Sequence, residues 1–294
     1  FSTRIIPSTS FLSNDRDPFS RIRASRGHRF PEPWGMAAPP LEVLRCHGYN
    51  GLKRIAGAGF LPEGEVSWRE RSAGGWKSNL IVAGAYLILT LLMIWPLPIL
   101  FNRAIPGDGF DGWQNYWNLW WVSEALLEEH TSPFYTRYLY YPRGVSLLFH
   151  TLNVPNGLLA MPVQVLFGPI VAYNFIVLIS SVLSGYGTFL LTLYLTKSRR
   201  AAFLAGVVYA FSPFRSAHLL GHMQVFSTEW LPFFILALFR AGKGGSLLLP
   251  ALFLCLSSLC DWYQALYLAL FTLIYIGWLA WKKELSPGVA LRLG

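Results

Sequence analysis

The stretch LIVAGAYLILTLLMIWPLPILF, residues 80–101, decides the fold class because it is long, apolar and free of charge. A helix crosses the hydrocarbon core of a bilayer with about 20 apolar residues, so this stretch predicts a membrane-spanning helix. Residues 170–195 and 263–281 are long enough to cross in the same way. Three shorter apolar stretches are candidates for tilted or partly inserted spans: about residues 201–214, 225–239 and 246–260. The sequence therefore predicts an all-α, polytopic transmembrane helical bundle of about six spans.

Composition supports a membrane protein and excludes a soluble domain. Hydrophobic residues make up 53% of the chain and charged residues only 13%, against about 25% charged residues in an average soluble domain. A cleaved signal peptide followed by a soluble product does not fit so many candidate spans. Cys46, Cys255 and Cys260 lack metal-type spacing, and the last two, in an apolar stretch, are expected to be packing residues.

Residues 1–77 carry twelve of the 24 Lys and Arg residues and contribute +5 of the net charge of +9. A basic segment beside a membrane accounts for this charge, so the expected partner is the lipid bilayer and not a nucleic acid. We expect a disordered tail over residues 1–77, a membrane module over 78–283 and a truncated C-terminal segment over 284–294. Phe1 is not an initiator, and if Met36 is the true start, residues 1–35 are not native.

The distribution of basic residues predicts the orientation of the bundle, since Lys and Arg gather on the cytoplasmic side in short loops. The basic segments fall on alternate connections and are expected inside, with the N-terminus cytoplasmic: the tail, KSRR (197–200), RAGKGG (240–245) and WKK (281–283). The connections expected outside are about residues 102–169, 213–226 and the one near Asp261.

Most of the acidic residues of the membrane module then face the outer side. Seven of the eight acids after residue 100 lie there: Asp108, Asp111, Glu124, Glu128, Glu129, Glu229 and Asp261. His130, His150, His218 and His222 fall on the same side. Carboxylates at a membrane boundary are costly unless they are used or paired, so this grouping predicts a functional site. The alternative is that these loops are simply polar.

The segment GDGFDGWQNYWNLWW, residues 107–121, predicts an amphipathic helix. Its aromatic residues follow helical spacing on one side: Trp113, Tyr116, Trp117, Trp120 and Trp121. Trp and Tyr favour the headgroup region, so we expect this helix to lie in the outer interface. Asp111 begins it, and Gln114 completes the pattern of a capping box, which makes capping the structural alternative for Asp111. Asp108, between two glycines, has no evident structural duty.

Three of these outer segments resemble a known family. DGWQNYW (111–117) resembles the D-P-W-F-N-Y-R segment in the first outer loop of oligosaccharyltransferase catalytic subunits, and YYPRG (140–144) is similar to their W-Y-P-L-G in the same loop. SPFRSAHLLGHMQVFSTE (212–229) is similar to their next outer loop. Residues 155–213 also resemble protein-mannosyltransferase-like enzymes, in which a short helix ending in Leu-Phe-Gly leads into a span, a basic turn and a second span ending in Ser-Pro. Order and sidedness together favour the GT-C superfamily of membrane glycosyltransferases over about residues 80–283.

The resemblance implies transfer of a sugar from a polyprenyl-phosphate-type lipid donor to an acceptor on the outer face of a membrane, here the bacterial plasma membrane. The displacement would be inverting, and a carboxylate would remove the proton of the acceptor hydroxyl. Asp111 matches the family's first-loop aspartate by position, with Asp108 as the alternative; either would be base or metal ligand. The implied cofactor is a divalent cation, Mg²⁺ or Mn²⁺, with Asp111 and Glu229 as candidate ligands.

Four residues are candidates for substrate binding: Arg143, Arg215, His222 and Glu229. The arginines would compensate the charge of the leaving phosphate, although Arg215 as a snorkelling headgroup anchor is an alternative. Glu229 takes the family's acidic position, with helix capping as its alternative.

Metal binding is left open by the second outer loop. His218 and His222, four residues apart, are expected to share a helical face and either bind a metal or form an ordinary amphipathic pair. The family carries an acidic pair where this chain has GHMQVFSTE, so mechanisms with and without a metal both stay open. Asp261, with Gln264 three residues on, is expected to cap a helix.

Two other functions remain as alternatives. A transporter or flippase of a lipid-linked or small polar substrate would show charges near span midpoints and matched halves, whereas the charges here lie at the ends of the spans. A non-catalytic membrane subunit would keep the fold without the chemistry.

Overall fold

The computed structural model describes residues 5–7, 75–107, 109 and 111–282. The predicted tail, apart from residues 5–7 and 75–77, lies outside the described residues. So do Asp108 and the predicted C-terminal segment, residues 284–294.

The described part of the chain is almost entirely helical. It contains ten α-helices in this order: α1 (Trp76–Met93), α2 (Asp111–Leu127), α3 (Val154–Phe167), α4 (Pro169–Thr196), α5 (Arg199–Ala210), α6 (Pro213–His218), α7 (Met223–Phe226), α8 (Trp230–Gly242), α9 (Leu248–Cys260) and α10 (Trp262–Trp281). Two short antiparallel sheets accompany them. Strand β1 (Ile5–Pro7) pairs with β2 (Ala104–Pro106) in the register Ile6 to Ile105, and β3 (Tyr135–Thr136) pairs with β4 (Val145–Ser146).

Four segments among the described residues are long and apolar enough to cross a membrane: Trp76–Met93, Pro169–Thr196, Met223–Gly242 and Trp262–Trp281. These make the chain an integral membrane protein and confirm an all-α transmembrane fold. Helices α3 and α9 are apolar but shorter.

The first span is shorter than the sequence predicts. Helix α1 ends at Met93, and a separate 3-10 helix covers Leu97–Leu100. Pro96 and Pro98 explain the difference, because proline in a helix interior removes a backbone hydrogen bond and clashes with the preceding turn.

The third candidate span is a broken helix. Helix α7 ends at Phe226 and α8 begins at Trp230, so Ser227, Thr228 and Glu229 form an irregular link inside the apolar segment. Irregular backbone at membrane depth persists only where it is buried in protein or lines a polar cavity. Buried polar partners are therefore expected around this break.

Helix α4 is the centre of the bundle, since α1, α2, α3, α5 and α8 all pack on it. Small residues allow this close approach, as is common between membrane helices. Gly185 of α4 faces Tyr86 of α1, and Gly206 of α5 faces both Tyr86 and the carbonyl oxygen of Gly185. The Tyr86 hydroxyl donates to the Phe203 carbonyl over 3.0 Å, which ties α1 to α5.

Helix α2 confirms the helix predicted from the aromatic spacing, but its polar side faces protein. Asn115, Asn118 and Ser123 are buried. Asn115 Nδ2 donates to the Gly221 carbonyl over 2.7 Å, and Asn118 Nδ2 donates to the Thr151 carbonyl over 2.8 Å. Loop carbonyls away from water need such partners, so these amides fix two loops against the helix.

Candidate functional site

The three connections predicted to lie outside meet at one end of the bundle. Asn115 of the first reaches Gly221 of the second. Asn153 Nδ2 donates to Ser227 Oγ over 3.0 Å, and the Trp262 indole N–H donates to the Leu148 carbonyl over 3.4 Å. Residues far apart in sequence thus form one polar surface and one polar interior at the same end.

One group of basic residues lies at the starts of α1 and α5 and at the ends of α4 and α8. Arg199 Nη2 donates to Ser78 Oγ over 2.7 Å, which joins the start of α5 to the start of α1. Lys197 and Lys243, from two different connections, approach the Tyr194 ring at 4.8 and 5.4 Å. The grouping of these basic connections matches the one that their alternation along the chain predicts.

Asp111 is an accessible acid of these outer loops, and it pairs with His222. Asp111 Oδ2 lies 3.0 Å from His222 Nε2, and about half of each side chain is exposed, 53% and 49%. The loop approaches closely because Gly221 has no side chain: an added Cβ would lie 3.2 Å from the Gly112 amide nitrogen. A carboxylate held by an imidazole and open to solvent is suited to accept a proton.

Gln114, predicted to complete a capping box with Asp111, has a partner in another loop. Gln114 Nε2 donates to Thr151 Oγ1 over 3.2 Å, across to another loop. Helix α2 starts at Asp111 itself, so this residue lies in the first turn, where a negative charge is favourable to the helix dipole. The charge of Asp111 therefore supports its helix.

The two histidines of the second outer loop do not share a helical face, contrary to the prediction. His218 is the last residue of α6, whereas His222 precedes α7, and the chain turns between them. Their rings are still close, with centroids 5.4 Å apart. His218 Nδ1 lies 2.7 Å from the Phe214 carbonyl oxygen, so that nitrogen is committed to the backbone.

The metal expectation finds no three-ligand group in the described ranges. No three His, Cys, Asp or Glu side chains among them come together as a metal site. Asp111 and Glu229, the candidate ligands, belong to different surroundings, since the first is half-exposed and the second is 1% exposed. A role for Mg²⁺ or Mn²⁺ stays a prediction.

Glu229 is buried in the break between α7 and α8. Its Oε1 accepts from Asn156 Nδ2 over 3.1 Å, and its Oε2 accepts from Ser180 Oγ over 2.6 Å. It occupies the N-cap position of α8 but makes no capping hydrogen bond. The predicted capping alternative is therefore wrong for its side chain, which points to α3 and α4.

Arg215 is equally buried, with 1% of its surface exposed. Its guanidinium donates to the Ala210 carbonyl over 3.0 Å, to Thr228 Oγ1 over 2.7 Å, to Ser180 Oγ over 3.3 Å and to the Phe226 carbonyl. A snorkelling headgroup anchor does not describe this side chain. Burial lowers the pKa of Arg215 to about 10, so it remains a cation at neutral pH, and its role as a phosphate ligand stays a prediction.

Arg143 is exposed in the first outer loop, as are Arg103 and Arg137. It lies in the turn Tyr140–Gly144, where the Gly144 amide donates to the Tyr140 carbonyl over 3.1 Å. Gly144 has φ +71°, and a Cβ there would lie 2.5 Å from the Thr136 carbonyl oxygen. The turn thus requires glycine and presents the Arg143 side chain to solvent.

His150 and Asp261 also lie at this end. His150 Nε2 is 2.9 Å from Asn118 Oδ1, and burial lowers the pKa of the imidazole. Asp261 is the N-cap of α10, where its Oδ1 accepts from the Tyr263 amide over 2.8 Å, as predicted. Burial raises the pKa of Asp261.

Sequence reasoning missed the buried polar network around Glu229 and Arg215. Its further members come from α3, α4, α10 and the break: Asn153, Asn156, Ser180, Ser227 and Gln264. The serines of α4 were a detectable signal, because a span that carries Ser180, Ser181 and Ser184 must bury their hydroxyls against partners. The bonded partners lie 35 to 74 residues apart in sequence and leave no local pattern.

Comparison with protein-family models, with curated proteins and with solved structures finds no match for this chain.

Proposed function

We propose that this chain is a GT-C-type membrane glycosyltransferase that transfers a hexosyl or pentosyl group from a polyprenyl-phosphate-linked donor to an acceptor at the outer face of the bacterial plasma membrane. The observation that carries the proposal is the half-exposed Asp111 carboxylate, 3.0 Å from His222, among the loops that resemble the family. A reactive carboxylate must be reachable by substrate, and this one is.

The order of the elements supports the resemblance. Helix α3 ends at Phe167 before Gly168, α4 follows, a basic turn leads to α5, and Ser212-Pro213 comes next. This is the succession of short helix, span, basic turn and helix expected for protein-mannosyltransferase-like enzymes.

In the proposed reaction the acceptor oxygen attacks the anomeric carbon of the lipid-linked sugar. A bond forms between them as the bond from the anomeric carbon to the phosphate oxygen breaks, and the phosphate leaves with the electron pair. The hydroxyl proton passes to the Asp111 carboxylate, a task that general bases perform within hydrogen-bond reach. His222 holds the carboxylate in position, and Asp108 is the alternative base.

The leaving phosphate needs positive charge nearby. Arg143 could supply it, because its side chain is exposed and belongs to the YYPRG segment (140–144) that resembles the family. Arg215 would contribute only through the field of its buried charge. Among the described residues, no three His, Cys, Asp or Glu side chains come together as a metal site.

We further propose six spans, with α5 and α9 joining the four longer segments, a cytoplasmic N-terminus, and α2 close to the outer interface. Exposed aromatic residues of the same loop support the last point: Tyr141 is 84% exposed and Phe149 is 86% exposed. Aromatic side chains favour the headgroup layer.

The test is sugar transfer by the full chain in lipid nanodiscs. The donor is a radiolabelled hexose linked to undecaprenyl phosphate, and the acceptor is an extract of molecules from the outer face of the plasma membrane. Asp111→Asn is expected to lower the rate about 100-fold or more, as loss of a general base does. Glu128→Gln, an exposed acid that follows α2, is the matched control and is expected to leave the rate unchanged.

Asp108→Asn is measured in parallel. Loss in Asp108→Asn alone would move the base to Asp108 and keep the enzyme. Full transfer in both variants, or donor movement across the bilayer without transfer, would overturn the proposal in favour of a transporter or a non-catalytic subunit.

A further inference from the structure

A groove opens at the basic end of the bundle, between the starts of α1 and α5 and the last turns of α4. Its volume is about 470 Å³. Ser78, Arg199 and Arg200 line its polar part, while Ile81, Phe189 and Leu204 line its apolar part. None of these residues belongs to the outer loops that contain Asp111 and His222.

Arg199 is held in this groove by one hydrogen bond and one ring contact. Its Nη2 donates to Ser78 Oγ over 2.7 Å, and its guanidinium carbon lies 5.2 Å from the centre of the Phe189 ring. Its Nη1 is buried and has no hydrogen-bond partner among the described residues. A buried cationic donor without an acceptor is costly, so the site calls for an anionic oxygen.

The apolar walls of the groove face outward. Ile81 is 71% exposed and Leu204 is 63% exposed, and both lie about one helical turn from the polar residues. A free phosphate ion gains nothing from such walls, whereas an acyl chain does, since each buried CH₂ contributes about 0.8 kcal/mol. A positively charged part next to apolar walls matches an amphiphile with an anionic headgroup.

We propose that this groove binds an anionic phospholipid, with its phosphate on Arg199 and Arg200 and an acyl chain along Ile81 and Leu204. Arginine suits this role because its planar fork can donate two hydrogen bonds to one phosphate. The site is independent of the proposed transferase centre, and its ligand is structural lipid and not substrate.

The test is lipid binding by the purified full chain, measured by native mass spectrometry after titration with phosphatidylglycerol, phosphatidylcholine or inorganic phosphate. Wild type is expected to retain phosphatidylglycerol in preference to phosphatidylcholine. Arg200→Gln is expected to weaken phosphatidylglycerol binding about fivefold, the effect of one basic residue near a charged lipid. Leu204→Trp, which fills the apolar wall without changing charge, is expected to weaken it comparably.

Lys282→Gln is the matched control, because it removes one exposed positive charge at the end of α10, away from the groove. Equal losses in Lys282→Gln and Arg200→Gln would overturn the proposal in favour of diffuse surface charge. Competition by inorganic phosphate, with no effect of Leu204→Trp, would make the groove a phosphate site and overturn it as well. Retention of phosphatidylglycerol by every variant would place the lipid elsewhere.

Discussion

Asp111 and Glu229 are two carboxylates at the same end of the bundle, but their surroundings differ. Asp111 is half-exposed and pairs with His222. Glu229 is 1% exposed, and Asn156 and Ser180 both donate to it beside the buried Arg215. An acid that must meet a substrate has to keep a free, reachable oxygen, whereas an acid that holds a fold has its oxygens taken by protein donors.

The buried network has a structural reason to exist. It surrounds the break between α7 and α8, where Arg215 donates to the Phe226 carbonyl and Gln264 Nε2 donates to the Ser227 carbonyl over 2.9 Å. These carbonyls have left the helical hydrogen-bond pattern and lack water as an alternative partner. The network therefore stabilises the irregular backbone that brings the outer loops together.

The largest expected effect comes from disrupting the buried network around Glu229. Arg215→Met should lower the free energy of unfolding by about 3 to 5 kcal/mol, because it leaves Glu229 as an uncompensated buried charge. Thermal denaturation of the detergent-solubilised protein measures it. Adding Glu229→Gln should recover part of the loss.

Asp111→Asn is the corresponding change at the exposed acid. It should alter the free energy of unfolding by no more than about 1 kcal/mol, as expected for an exposed pair of polar side chains. Equal destabilisation by Arg215→Met and Asp111→Asn would contradict the distinction between a buried and an exposed acid.

A smaller effect is expected where helix packing positions the network. Gly206→Ala would place a Cβ 2.5 Å from the Gly185 carbonyl oxygen and closer still to the Tyr86 hydroxyl. Helix α5 must then move from α4, which should cost about 1 to 3 kcal/mol and displace the Ala210 carbonyl that binds Arg215. Thermal denaturation again reports it.

Gly84→Ala, also in a helix, is the control because an added Cβ there meets nothing within 4 Å. It should be neutral or slightly stabilising. Equal losses at both glycines would show that the α4–α5 contact is not special.

The smallest expected effect is a pH dependence of stability that comes from His150 in the first outer loop. Burial lowers the pKa of His150, so as pH falls below about 6.5 the unfolded chain takes up the proton first and stability decreases. The decrease should end once the folded protein is protonated too. The melting temperature should fall less steeply between about pH 7 and pH 5 in His150→Asn than in wild type; an unchanged slope would contradict this assignment.

Several features could be read from the sequence because their signals are local. Residues 170–195 and 263–281 were predicted as spans within one residue of the helices Pro169–Thr196 and Trp262–Trp281. The helical spacing of Trp113, Tyr116 and Trp117 predicted α2. In each case the composition or the periodicity of the segment itself carries the information.

Other features depended on partners that are distant in sequence. Nothing near Asp111 indicates that His222, more than a hundred residues later, approaches its carboxylate. Likewise, nothing local to α2 indicates that its polar side packs against protein, where Asn115 and Asn118 donate to the loop carbonyls of Gly221 and Thr151.

The sequence by itself determined that this chain is helical and enters a membrane. It also places most of the acids after residue 100, together with four histidines, on the connections that alternate with the basic ones. Those properties follow from transfer of side chains between water and lipid, which acts on each segment separately. Only the tertiary structure decided which acid is exposed and which is buried, because burial and hydrogen bonding depend on the neighbours that packing supplies. Asp111 and Glu229 carry the same chemical group, and it is the contacts of α2, α3 and α4 that separate their roles.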